Sequence, residues 1–427
     1  MITKIAIQFL SLVTAIIIAR TLGPSGQGIY SLSLLLPSLM ISMANIGVSQ
    51  STVYYLGQKK YPPKIIFGNN IIISSLMSLI AAWIAIMTIA LWGKGLFPGI
   101  AKPYLFLGLM LIPCYYMGMN MSSILMGLQS IKKYNNVSLF QNICFLVFIF
   151  VFLLVLRYQI RAAIVAQIAS LLLAGLLAMV LTKKEIGNPN IRIKYAYLKD
   201  TFRFGSIAYI ADILSYIHNR VGQYVISIFF DKQFVGIYSI ASSVSEKILI
   251  ISNSAATVLF PKVSSEKASD KIKYITPIVL RYTVLLATMV SLLCLFMSKY
   301  IFVLIFSKSF YDSAKPFNIL LIGVIALSGS NILACDLLGR GKPIINTYIS
   351  AASVIINIIL CLIMVPKRGI VGAAWAISLA YMIHYVIILI VYSKISHNSI
   401  KNVILFKRTD YEVIKQIYKN LILKPNP

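Results

Sequence analysis

The 427-residue sequence is poor in charge and poorer still in charge of one sign. Only 12% of its residues are Asp, Glu, Lys or Arg, where soluble domains carry about 25%, and 11 acidic residues stand against 39 basic ones. With 59% hydrophobic residues beside so few charges, an ordinary soluble protein is excluded. Cysteine is scarce too: Cys114, Cys144, Cys294, Cys335 and Cys361 all lie in apolar runs with no C-x-x-C spacing. That excludes a disulfide framework and a cysteine-based metal site, and leaves the thiols as small hydrophobes. The net charge of +28 is scattered among apolar stretches instead of forming one basic patch, so nucleic acid is not expected as a partner.

What the sequence has in abundance is apolar runs of span length, from end to end, which makes the bilayer its solvent. Their spacing predicts an all-α polytopic membrane protein with twelve transmembrane helices, near 4–20, 27–56, 65–92, 104–128, 137–156, 162–182, 204–230, 237–260, 274–298, 316–338, 347–364 and 370–392. No small-residue cleavage site follows the first run, which is expected to be a retained helix. With the N-terminus inside, Lys and Arg on the cytoplasmic side outnumber those outside by more than two to one, so both termini are expected in the cytoplasm. The loops are too short for an extramembrane catalytic module. A transporter is therefore expected, not an enzyme, with the work done by the helices. The expected division is 1–203, a six-helix lobe with a connecting cytoplasmic segment; 204–392, a second six-helix lobe; and 393–427, a basic cytoplasmic tail whose Asp410–Leu423 stretch has the apolar spacing of a surface helix.

A weak internal repeat supports two lobes. Gly28-Ile29-Tyr30-Ser31 recurs 208 residues later as Gly236-Ile237-Tyr238-Ser239, and the same offset takes Asn45 to Asn253 and Ala166, Ser170 and Leu171 to Ala374, Ser378 and Leu379. Six spans per repeat put both halves into the membrane in the same direction. Two parallel six-helix bundles with a substrate path between them are expected, an arrangement suited to alternating access.

Polar residues inside the spans mark candidate sites. Tyr209, Asp212, Tyr216, Asn219, Arg220 and Gln223 share one face of the seventh span; Tyr238, Ser242, Ser245, Glu246 and Asn253 form a stripe on the eighth; Ser31, Ser38, Ser42, Asn45, Ser49 and Thr52 form one on the second. On the second span, bonding between neighbouring helices explains the stripe as well as a wet path does. Charges weigh more, since each costs roughly 2.5–3.5 kcal/mol at the bilayer centre, and Asp212, Arg220, Glu246 and Lys247 must face a cavity or one another. Arg220 either pairs with Glu246 or holds a phosphate in its planar fork, with Glu246 then able to take a proton or cation. Lys247 snorkels or lines the path. Asp336, near the inner end of the tenth span, is a second candidate for coupling, and a solvated role fits it equally. His218 and His384 read as structural, and Pro37, Pro113 and Pro277 permit bends.

Ala19-Arg20-Thr21-Leu22-Gly23-Pro24-Ser25-Gly26-Gln27-Gly28-Ile29-Tyr30-Ser31 resembles the opening signature of the Wzx-like polysaccharide flippases of the multidrug/oligosaccharidyl-lipid/polysaccharide exporter superfamily. Gly236 to Ala241, Ser245-Glu246, Val258 to Val263 and Gly369 to Ala374 extend the likeness over nearly the whole chain. Arg20, Gly23, Pro24, Gly26, Gly28 and Tyr30 are the motif positions, with Arg20 at a helix end and Gly23 and Pro24 making a turn. One departure is Gly222, where many relatives carry an Asp. The resemblance implies a flippase for undecaprenyl-diphosphate-linked oligosaccharide in a bacterial inner membrane, serving O-antigen, lipopolysaccharide or capsule synthesis. It further implies proton or sodium coupling without a metal or other cofactor, membrane lipids around the protein, and other polysaccharide assembly proteins as possible partners. The expected substrate-contacting set is Arg220, Lys247, Asp212, Tyr216, Tyr238, Asn45 and Asn253, with Glu246 and Asp336 for coupling. A cation-coupled multidrug antiporter, a lipid II flippase and an oligosaccharide polymerase are the alternatives. Arg220 and Lys247 argue against the first, the chain's twelve spans against the second and its short outer loops against the third.

Overall fold

A computed structural model describes residues 2–44, 46–97, 99–156, 159–265 and 270–406. Every regular element among them is helical, as it must be where no water is present to satisfy the backbone. In order these are α1 (Ile2–Ala44), α2 (Val48–Gly57), α3 (Pro63–Leu96), α4 (Lys102–Leu109), α5 (Leu111–Gly127), α6 (Ile131–Ile149), α7 (Gln159–Ile186), α8 (Tyr195–Phe229), α9 (Lys232–Glu246), α10 (Ile250–Ser265), α11 (Asp270–Tyr300), α12 (Ala314–Gly339), α13 (Pro343–Ser396) and α14 (Ile400–Ile404). Nine of the described helices, some continuing through a short turn, are long and apolar enough to cross a membrane. Lipid-facing side chains such as Trp83, Leu91 and Phe296 are exposed, which water would penalise and a bilayer does not.

Two helices merge a pair of expected spans. Within α1 the only non-helical residue is Gly23 (φ 66°, ψ −179°), and Pro24 restarts the helix. A residue without a Cβ takes the left-handed φ, and proline needs no N–H partner at a first helical position. In α13 the break is at Gly369 (φ 56°, ψ −138°). Divided at these glycines and counted with α8, the helices are consistent with twelve spans. Pro37 and Pro277 sit inside α1 and α11, where the backbone stays helical on either side of them. The expected tail helix at Asp410–Leu423 lies outside the described residues.

The contacts divide the chain into two units. The first comprises Met1–Ser243, Ser298–Phe317 and Val354–Ile377. One end of it is held by a polar network: Tyr197 Oη donates to Asn70 Oδ1 (2.8 Å), Asn70 Nδ2 to Thr52 Oγ1 (2.9 Å), and Ser51 Oγ to the Thr201 carbonyl (2.9 Å). The segment joining α7 to α8 is strapped to α3, with Asn190 N donating to the Lys64 carbonyl and Lys194 N to Asn69 Oδ1. Lys60 Nζ (2.5 Å) and Tyr61 Oη (2.6 Å) both donate to Asp200 Oδ2 at the start of α8. Those two donors hold the Asp200 carboxyl below the usual carboxylate range, Lys60 contributing most.

The second unit comprises Val244–Met297, Asn318–Ser353 and Ser378–Pro427. Its core gathers Leu259, Val263, Leu280, Ile332, Leu333, Leu337, Ile388 and Tyr392. Buried Arg281 donates to the carbonyls of Asn402 (2.7 Å) and Val403 (3.2 Å), so α14 is folded back onto α11.

Candidate functional site: a cationic, amide-lined cavity

Six spans of the first unit surround a cavity of about 350 Å³, within the roughly 300–1,000 Å³ of small-ligand sites. The first limb of α1 contributes Ser11, Thr14, Ala15 and Ile18, and the second limb Gln27, Tyr30, Ser31, Leu34, Leu35 and Ser38. Gln141, Asn142 and Phe145 come from α6, and Gln167 from α7. From α8 come Tyr216, Arg220 and Gln223, spaced four and three residues apart and so on one helical face. Ser239, Ile240 and Ser243 of α9 complete it. Among the described lining residues Arg220 is the only charged one. Tyr216 Oη donates to the Leu35 carbonyl (2.9 Å), tying α8 to the second limb of α1 beside Arg220. The cavity can therefore take an anionic group at Arg220 and hydroxyl-rich groups along a wall of carboxamides and hydroxyls.

At one end of this wall the repeat closes on itself. A Cβ on Gly28 would lie 1.8 Å from the Lys232 carbonyl oxygen, and one on Gly236 would lie 1.9 Å from the Pro24 carbonyl oxygen and 2.9 Å from Gly28 N. One turn along, Ser31 Oγ donates to Ser239 Oγ (3.2 Å). Residues 208 apart in sequence thus touch their own counterparts.

The expected site residues are distributed unevenly. Tyr216, Arg220 and Tyr30 line the cavity. Asn45, and the side chains of Tyr209 and Asp212, lie outside the described residues. Tyr238 is not a lining residue: it is fully buried, and its phenol packs over Gly222, where a Cβ would meet Tyr238 Oη at 2.8 Å. The departure at Gly222 is thereby explained, since any side chain there would collide with that ring. The stripe on α9 is also rotated from expectation. Ser239 and Ser243 face the cavity, while Ser242 and Ser245 are buried elsewhere; beyond them the helix tightens into a 3₁₀ turn at Lys247–Leu249, so one helical phase does not run through Glu246 to Asn253. On the second span both readings hold, each on its own half. Ser31 and Ser38 face the cavity, whereas Ser49 bonds Asn120 (3.1 Å) and Thr52 bonds Asn70 and Tyr197.

Glu246, Lys247, Asn253 and Asp336 fall in the second unit. Asn253 is exposed and accepts from Asn331 (3.4 Å). Asp336 is fully buried; it accepts from Thr276 Oγ1 (2.5 Å) and pairs with Arg340 one helical turn away. Full burial sets aside the solvated one of the two roles read for it, and the carboxylate serves as a tie between α11 and α12. The His218 carbonyl accepts from Asn357 Nδ2 (2.9 Å).

Residues 1–267 match the family model described as polysaccharide biosynthesis protein. The chain belongs to this family. It is similar to the probable low-salt glycan biosynthesis flippase Agl15 of Haloferax volcanii, 24% identical over 225 residues, which is 52% of this chain and 48% of that protein. It is similar also to a membrane protein of Methanocaldococcus jannaschii, 24% identical over 251 residues, 56% of this chain and 50% of that one. The chain spans about half the length of these curated relatives. In fold it is similar to the lipid II flippase MurJ in an inward closed conformation, with a TM-score of 0.78, 18% identity, and 100% of this chain and 93% of that one covered. An inward-facing multidrug resistance transporter of the MATE family, of the MOP superfamily, gives a TM-score of 0.75 with 14% identity over 91% of this chain and 94% of that one.

The family signature acquires a structural account in this chain. Arg20 Nε donates to the Ile305 carbonyl (2.7 Å), and a second guanidinium nitrogen to the Leu304 carbonyl, at the end of the π-helical turn Ile301–Phe306. Those carbonyls have no further helix to receive them, so the arginine fork caps them. Gly23 and Pro24 make the turn, Gly26 packs against Leu22 and Ile160, and Gly28 makes the close crossing with Gly236. Sequence reasoning missed Gln27, Gln141, Asn142 and Gln167 as cavity residues. The signal was present, since a carboxamide inside an apolar span must find a polar neighbour.

Proposed function

We propose that this protein is a flippase carrying undecaprenyl-diphosphate-linked oligosaccharide repeat units across a bacterial inner membrane, by alternating access of two six-helix lobes, for surface polysaccharide synthesis. The observation that carries the reading is the cavity inside the membrane region in which, among the described lining residues, Arg220 is the one charged side chain and the other polar groups are amides and hydroxyls. A diphosphate needs a cationic host away from water, and sugars need neutral donors and acceptors beside it. A cavity for cationic drugs would need the opposite charge, which argues against the multidrug antiporter. Membership of the polysaccharide biosynthesis family and likeness to a glycan flippase support the same reading. Cytoplasmic termini follow from the Lys and Arg distribution, and Glu246 is the proposed carrier of the coupling proton or sodium ion.

The test is to delete the gene and extract lipids. A diphosphate-linked oligosaccharide should accumulate while surface polysaccharide disappears. The wild-type gene should restore both, and Arg220→Ala, inserted at normal level, should restore neither. Unchanged lipid pools with altered sensitivity to cationic drugs would refute the proposal.

A further inference from the structure

The segment that joins α7 to α8 is apolar and cationic at once. Ile191, Ile193 and Tyr195 are 64%, 66% and 77% exposed, and they alternate along the chain with exposed Arg192 and Lys194. The segment is fastened down. Asn190 N donates to the Lys64 carbonyl, Asn69 Nδ2 to the Arg192 carbonyl (3.1 Å) and Lys194 N to Asn69 Oδ1 (3.1 Å), so it runs along the first two turns of α3. The fit is close: a Cβ on Gly68 would lie 1.9 Å from the Asn190 carbonyl oxygen. At its start Gly187, with φ 89°, turns the chain out of α7, and a Cβ there would touch Lys64 Cε at 3.4 Å. Lys64, Lys183, Lys184, Arg192 and Lys194 are thereby gathered at one end of the first unit. All five are exposed, and none forms an ion pair among the described residues. The carboxylates nearest them in sequence are already taken, Glu185 by Lys133 and Asp200 by Lys60.

Depth decides what this surface meets. Between Lys64 and Lys94 α3 carries no charge, a stretch of about 43 Å at roughly 1.5 Å per residue, which matches a whole bilayer with its headgroups and exceeds the hydrocarbon core of about 30 Å. The first two turns of α3, and the segment fastened to them, therefore stand among headgroups. The end of α7 agrees, since its charge-free residues 162–182 run about 30 Å and Lys183 and Lys184 begin where the hydrocarbon stops. Isoleucines at that depth enter the acyl boundary while their basic neighbours meet phosphate. We propose that the α7–α8 segment, with Lys64, Lys183 and Lys184, is a binding site for the headgroups of anionic phospholipids in the leaflet around it. An acidic protein would match the charge but leave the isoleucines without an apolar layer. The site is separate from the cavity and does not rest on the cargo assigned there. It lies at the entry to α8, the helix that carries Tyr216 and Arg220.

The experiment places the full chain in nanodiscs of phosphatidylcholine with rising phosphatidylglycerol and follows hydrogen exchange of residues 187–196. Wild-type protein should gain protection there as phosphatidylglycerol rises, a comparison that needs no variant to fold, and high salt should weaken the gain. Arg192→Gln/Lys194→Gln should need at least about fivefold more phosphatidylglycerol for the same protection, the worth of one basic residue at an anionic surface. Ile191→Ser/Ile193→Ser should lower protection in both lipids alike. Protection that does not respond to phosphatidylglycerol, or that is equal in wild type and Arg192→Gln/Lys194→Gln, would overturn the assignment. So would protection produced in pure phosphatidylcholine by inorganic phosphate, which would mark a site for a free anion, or by soluble polyglutamate, which would mark a docking face for an acidic protein.

Discussion

Replacing Gly28 or Gly236 by alanine sets two known effects against each other. In a helix an exposed Gly→Ala change gains roughly 0.5–1 kcal/mol, because the unfolded chain loses freedom. At Gly28 the new methyl would stand 1.8 Å from the Lys232 carbonyl oxygen, and at Gly236 1.9 Å from that of Pro24, where ordinary contact begins at 3.4 Å. Backbone carbonyls cannot swing aside as a side-chain tip can, so α1 and α9 must separate by roughly 1.5 Å, an overpacking that costs about 1–3 kcal/mol. The clash wins. Moving the helices apart by that much also breaks the 3.2 Å bond between Ser31 and Ser239 and opens the cavity wall. Thermal unfolding in nanodiscs, followed by intrinsic fluorescence, should show a lower midpoint for each variant, and binding of a glycosylated polyprenyl diphosphate should fall with it. The double variant should lose less than twice as much, since both methyls act on one contact. Gly57→Ala, where nothing lies within 4 Å of the added Cβ, is the control and should be neutral or slightly stabilising. Wild-type midpoints and binding for Gly28→Ala and Gly236→Ala would refute the claim that the repeat packs on itself at these glycines.

Two further outcomes are expected. Glu246→Gln should abolish the response of flipping to proton and sodium gradients in proteoliposomes; an unchanged gradient response would leave Glu246 a structural residue only. The strap that joins the α7–α8 segment to α3 should depend on pH with a defined sign. Because Lys60 and Tyr61 depress the Asp200 carboxyl, its contribution is complete above the unfolded carboxylate value, near 4, and is lost as pH falls through the lower folded value. The protection of residues 187–200 against hydrogen exchange, taken relative to the intrinsic rate at each pH, should therefore fall in acid, and in Asp200→Asn should be several-fold lower at neutral pH with no further acid step. Exchange in that variant equal to wild type would show the strap to be held by the buried Tyr197–Asn70–Thr52 network alone.

How far the sequence could be read is set by what membrane insertion demands. Apolar runs of span length have one solution in a bilayer, so the helical class and the approximate spans followed from composition and periodicity. The repeat was legible as identities at a fixed offset of 208, and the face of α8 carrying Tyr216, Arg220 and Gln223 as a spacing. Other features needed the packed structure. Tyr238 carries the same periodic signal as a cavity residue, yet its ring is drawn into the space that Gly222 leaves open, and that exchange of volume is invisible along the chain. The α9 stripe was misphased because the neighbouring helices decide which face of a helix meets a cavity: Ser239 and Ser243 line it, and Ser242 and Ser245 of the same regular helix are buried elsewhere. Asp336 reads as an isolated acid in sequence and is a buried tie to Thr276 and Arg340 once α11 and α12 pack. Gln27 lay within the signature motif, but that it lines the cavity and reaches Ser31, itself bonded to Ser239 208 residues further on, is decided by the fold. Local physics therefore determined which segments are helices and which of their residues must avoid lipid. Which of those residues share a cavity was decided by the tertiary structure, because it depends on how side-chain volumes on different helices fit together.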